Sequence, residues 1–361
     1  MEKQHPFGKV LKWAGGITAL LSLVFGLQQL TQMVSDTRER KRNTDELYRV
    51  GKLQQSASDY PAAWATFETA LQGAEPGGQL AKLTGQLDGE RVRLRAAQED
   101  LAMQWLENLR IKEGENFTDA VAPLAAIITR GITTATDTRK ADLLAHFGWA
   151  NFLRHRDGQH DLTPEPQYRE ALAIDSLNPY ARAYLAHWKL WSDHQEAWPE
   201  ARAHFEAALR SGRARTDVRR MQLAAIGNLG DGEIERLRVL ADMVKNKEPV
   251  DGRTISRAYG DYWSVCHRHW NGMGFDLERF EAVRKAIPLA DHIAIFQTLF
   301  TDFDRWRSRE RDACLALLLE KSGQRQEALQ IWTKLRAAEA DDSVWVRYGN
   351  TASKRLSQAQ P

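Results

Sequence analysis

Charge of one sign is scarce in this chain. Its 50 lysines and arginines stand against 48 acids, leaving a net charge of +2 over 361 residues. That balance gives no argument for a nucleic-acid partner. Cysteine is scarcer still. Cys266 and Cys314 lie far apart with no CxxC, which fits neither a disulfide framework nor a metal knuckle and leaves the redox compartment open. Catalytic signatures are missing as well: there is no GxxxxGK(S/T), no HExxH, no GxSxG and no GxGxxG after a strand. The glycine-rich residues 227–232 fall between two helical segments and read as a turn. Cys266, His267 and His269 are one and two positions apart on a helix, so they point in different directions and cannot easily share one ion. No cofactor is implied. Strand-type alternation flanked by turn residues is also lacking, which excludes a β architecture and leaves an all-α chain.

What is present is helical periodicity in a chain that is 43% apolar. Residues 168–209 read as helix, turn, helix, turn, helix. Small residues recur where helices must approach (Ala171, Ala186, Ala201, Ala208), with large ones beside them (Tyr168, Leu185, Phe205). This alternation resembles the tetratricopeptide repeat (TPR), a helical hairpin of about 34 residues that stacks into a solenoid. The expected fold is therefore an all-α, α-solenoid of TPR-like hairpins at residues 44–356, clearest at 44–71, 141–174, 179–209 and 309–335. The first hairpin carries Leu47, Val50 and Gly51 against Tyr60, Ala63, Phe67 and Ala70. The second legible one carries Leu144, Phe147 and Gly148, and the last sets Leu315 and Ala316 against Ala328, Trp332 and Leu335. Between them, 90–110 and 119–129 form a degenerate pair, with Pro123 tolerable only in a first turn. Residues 210–308 keep helical periodicity but lose register. Segments 156–166 and 193–198 are inserted loops, residues 344–356 suit a terminal cap, and 357–361 form a tail. The twelve tryptophans pack between hairpins more readily than they bind ligands.

Ahead of the repeats, after a tail at 1–12, residues 13–35 contain no charge and are numerous enough to cross a bilayer core of roughly 30 Å. No small-residue cleavage pattern follows, so the segment reads as an uncleaved transmembrane helix, with 36–43 as a basic neck that also attracts anionic headgroups. Lys3, Lys9 and Lys12 precede it; Arg38, Arg40, Lys41, Arg42, Arg49 and Lys52 follow. By the positive-inside rule the larger cluster keeps the C-terminal bulk in the cytoplasm. Gly15, Ala19, Ser22, Gly26 and Gln29 share one stripe of the span, which suits self-association or simply reflects how common small residues are in spans.

The TPR resemblance implies capture of an extended peptide or partner domain in a groove lined by the first helices. By register that groove offers Tyr48, Lys52 and Gln55, then Asp142, Trp149 and Phe152, then Tyr180 and His187. A second candidate is the arginine-rich loop with Arg213, Arg215, Arg219 and Arg220, which either grips an acidic partner or is a charged connection. The expected protein is a non-enzymatic scaffold that recruits a protein partner to a bacterial-type inner membrane. A periplasm-facing assembly factor and an oligomerising membrane effector are the rival expectations.

Overall fold

Short polar residues decide where several helices begin. The side chains of Asn116 and Asn178 accept from the backbone N–H of Asp119 (2.7 Å) and Ala181 (3.0 Å), and Asp59 accepts from Ala62 (3.3 Å). Pro179 then supplies a preset φ at the opening of its helix. A computed structural model of the chain describes residues 7–75, 87–109, 115–227, 229–230, 232–270, 276–301, 305–337 and 344–358; the side chains of 7–27 and a few others lie outside that description. Among the described residues there are sixteen α-helices, one 3-10 turn (His194–Ala197) and no strand. The chain is all-helical, as expected, and its contacts divide it into Met1–Asp175 and Ser176–Pro361.

The first unit holds α1 (Phe7–Ser56), α2 (Tyr60–Gly73), α3 (Asp88–Asn108), α4 (Phe117–Thr134), α5 (Asp137–Arg156) and α6 (Glu165–Ile174). Each packs on the next, and α3 also touches both α1 and α5. Three hairpins thus set their first helices side by side. Two glycines permit the closest approaches. A Cβ on Gly51 would stand 2.5 Å from Cε1 of Phe67, and one on Gly148 would stand 2.5 Å from Cε1 of Tyr168. Phe67 and Tyr168 are fully buried, each flanked by the alanines that the sequence placed there: Ala63 and Ala70 beside Phe67, Ala171 beside Tyr168. Burying one such ring stabilises the fold by about 2–3 kcal/mol. Val50 departs from the expected packing and is exposed. Because Asn116 starts α4 early, Pro123 lies inside the helix and beyond its first turn, where it removes one helical hydrogen bond.

The second unit holds α7 (Pro179–Ser192), α8 (Trp198–Arg210), α9 (Arg215–Ile226), α10 (Gly232–Lys245), α11 (Gly252–Trp270), α12 (Asp276–Ala286), α13 (Leu289–Leu299), α14 (Arg305–Lys321), α15 (Arg325–Ala337) and α16 (Val344–Gln358). Hairpins α7–α8 and α14–α15 follow the expected boundaries. Gly323, at φ +86°, closes α14 with Gln324 N–H donating to the Leu319 carbonyl (2.9 Å). Ala352 and Leu356 of α16 cover the Trp332 side of that pair. Residues 210–308 do not continue as a string of next-neighbour hairpins. Helix α10 touches α9, α11, α12 and α13, and Leu237 and Leu240 share one core with Tyr262, Phe280, Phe296 and Phe300. That shared core explains why the repeat register fades: apolar positions there serve several partners at once.

The cysteines require a correction. Cys266 of α11 and Cys314 of α14 form a disulfide, with Cα atoms 5.7 Å apart across a sequence separation of 48. Linear distance gave no hint because the fold itself brings α11 against α14.

The N-terminal expectations fare unevenly. Helix α1 runs unbroken for 50 residues through the expected span, neck and first repeat helix. Among the described residues no helix is long and apolar enough to cross a membrane. The side chains of Gly15, Ala19, Ser22 and Gly26 lie outside the described residues; Gln29 is exposed.

Candidate functional site

The groove positions are largely consumed by the neighbouring first helix. In unit one, Arg93 of α3 ion-pairs with Asp45 and sets its guanidinium 4.3 Å over the Tyr48 ring. Lys52 Nζ donates to Gln55 Oε1 (2.9 Å), and the Gln55 amide donates to Gln104 Oε1 of α3 (2.7 Å). On α5, Trp149 donates its indole N–H to the Leu106 carbonyl (3.3 Å) and stacks on Phe152 at 4.8 Å. Asp142 uses its backbone carbonyl to accept from His146 Nδ1 (2.7 Å), while His146 Nε2 lies 2.9 Å from Glu107 of α3. Gln55, Trp149 and Phe152 are buried. Tyr48, Gln55 and Trp149 thus face sideways into α3 and not outward onto an open groove. The register fixed the helix but not which of its faces α3 would cover.

In unit two, His187 is buried while Tyr180 is half-buried against Tyr184, ring centroids 6.3 Å apart. The structure therefore leaves Tyr48, Lys52, Asp142 and Tyr180 partly accessible and encloses the other four.

The arginine loop is corrected more sharply. Arg219 is 4% exposed: its Nε pairs with Glu248 (3.0 Å), one terminal nitrogen pairs with Asp242, and the other donates to Gln222 (2.9 Å). Arg215 joins the same Glu248 at 2.6 Å. Arg220 pairs with Asp217 at 3.2 Å, and Arg213 lies exposed on the connection. Two of the four arginines thus brace α9 against the end of α10, Arg219 and Glu248 buried and Arg215 and Asp242 partly exposed. The acids that neutralise them lie some thirty positions downstream, beyond the reach of a local reading.

Sequence reasoning missed a cleft of about 300 Å³ among α8, α9 and α10. Trp198 and Leu209 of α8 and Val239 of α10 supply apolar surface, with Arg219 and Gln222 of α9 also lining it. On its walls Arg202 pairs with Glu206 (3.0 Å) and Arg238 pairs with Glu235. Its cations already have acids within reach, so the cleft offers mixed apolar and polar contact and no concentrated field for an anion. Among the described residues, no group of three or more histidines, cysteines or acids could hold a metal.

No protein-family model matches the chain, and no curated protein matches it.

Proposed function

We propose that this chain is a membrane-tethered, non-enzymatic scaffold, an α-solenoid of TPR-like hairpins that holds a protein partner. The carrying observation is the side-by-side placement of α1, α3 and α5, each followed by its packing helix, with the same glycine-on-aromatic contact at Gly51–Phe67 and Gly148–Tyr168. Arrays of this kind present long surfaces that suit other polypeptides. The α8–α10 cleft is the proposed point of engagement: apolar walls flanked by ion-paired rims fit an amphipathic segment of a partner, with an apolar side chain between Trp198 and Val239. The lack of charge across residues 13–35 supports the tether.

A photo-crosslinking residue placed at Arg202 or Arg238, in native membranes, should capture one discrete polypeptide, and the same residue at exposed Arg253 should not. Equal capture from all three positions, or from none, would sink the proposal. Alkaline carbonate should leave the full chain in the membrane pellet and release a chain begun at residue 36. Release of both would remove the tether.

A further inference from the structure

We infer that residues 176–361 face an oxidising compartment, so that the repeats lie outside the cytoplasm. The only two cysteines in 361 residues lie 48 positions apart on different helices and meet in one core, leaving no free thiol. Their Cα separation of 5.7 Å lies in the ordinary range for a bridge. Cys266 is 1% exposed and Cys314 2%, and they share their core with Tyr262, Phe296 and Phe300. Structural bonds of this kind persist where thiols are oxidised and are rare where glutathione and thioredoxin keep them reduced.

Charge points the other way. Three lysines precede residue 13, and the larger basic cluster follows residue 35. Both flanks are basic, however, so their asymmetry is modest, and Lys41 in the larger cluster lies 3.5 Å from Glu90. A covalent link in the core constrains topology more tightly than a small excess of lysine and arginine.

The chemistry balances through exchange with a thiol–disulfide oxidoreductase of that compartment. One cysteine thiolate attacks the oxidoreductase disulfide and forms a mixed disulfide, expelling one of its sulfurs as thiolate. The second cysteine thiolate attacks the mixed disulfide and closes the Cys266–Cys314 bond. The two electrons and two protons end on the oxidoreductase, now a dithiol. Because both sulfurs are buried once folding is complete, exchange precedes the seating of α11 on α14.

The test uses the full chain in its membrane, acid-quenched, denatured and labelled with polyethylene-glycol maleimide. No mass shift is expected without reductant, and a shift of two adducts is expected after reduction; Cys266→Ser with Cys314→Ser should give none in either case. A C-terminal phosphatase that works only after export should be active, and a fluorescent protein that folds only in the cytoplasm should stay dark. Two adducts without reductant, or a fluorescent and phosphatase-inactive fusion, would overturn the inference. Neither result alters capture from Arg202, so the scaffold reading stands or falls separately.

Discussion

Mild acid should destabilise the second unit, and His292 sets the size of the effect. This side chain is fully buried between α12 and α11. Its Nε2 faces the Arg284 carbonyl (3.3 Å), which accepts only, so Nε2 carries the proton and Nδ1 accepts from the Tyr262 hydroxyl (2.6 Å). Burial is the main cause that brings its pKa down from 6.5 to about 4; the Arg284 charge pushes the same way, while its backbone contacts and Asp291 oppose. In the unfolded chain the imidazole takes up a proton as pH falls through 6.5, whereas in the folded chain it stays neutral until about pH 4. Stability is therefore complete above the unfolded value and is lost across that window. At about 1.4 kcal/mol per unit the loss reaches about 3 kcal/mol, a large share of the roughly 5–15 kcal/mol that holds an ordinary domain. Urea unfolding from about pH 7.5 to about pH 4 should show that fall in the parent and not in His292→Gln, whose amide does not titrate. Parallel curves for the two proteins, or a His292 resonance titrating at 6.5, would refute the reasoning.

Gly51→Ala should cost about 1–2 kcal/mol in thermal unfolding, because the collision with buried Phe67 outweighs a helix-propensity gain of up to about 1 kcal/mol. Gly260→Ala, with nothing within 4 Å of its new Cβ, should stabilise by up to about 1 kcal/mol, and a loss there would contradict the packing described. Arg219→Met removes the buried guanidinium from Glu248 and Asp242 but leaves Arg215 on Glu248, and should cost about 1–3 kcal/mol by urea titration, while Arg213→Met stays within about 0.5 kcal/mol. Replacing Cys266 and Cys314 by serine opens a closed loop spanning a separation of 48 and should cost up to about 4 kcal/mol, read as a fall in Tm.

Much of the helical order was legible because capping residues and 3.6-residue periodicity are local signals. The hairpin expected at 179–209 is found as Pro179–Ser192 and Trp198–Arg210, and the one expected at 309–335 as Arg305–Lys321 and Arg325–Ala337. The small-beside-large alternation also held, since Gly51 and Gly148 have no room for a Cβ. What stayed hidden depended on partners remote in sequence. Trp149 reads as a groove aromatic until α3 supplies the Leu106 carbonyl, and Arg219 reads as an anion grip until α10 delivers Asp242 and its following turn Glu248. The α8–α10 cleft is a property of three helices together, and no one of them announces it.

Because α1 is one unbroken helix, the segment expected to sit in lipid and the wall of the first hairpin are a single rod of about 75 Å at 1.5 Å per residue. No glycine-rich joint or proline separates them after Pro6. On the proposed tether, any tilt or roll of the lipid-held end would swing the first hairpin with it, as an axle turns a blade. The stem would then carry membrane thickness or crowding of neighbouring helices to the repeats, with no intermediate linker to absorb the motion.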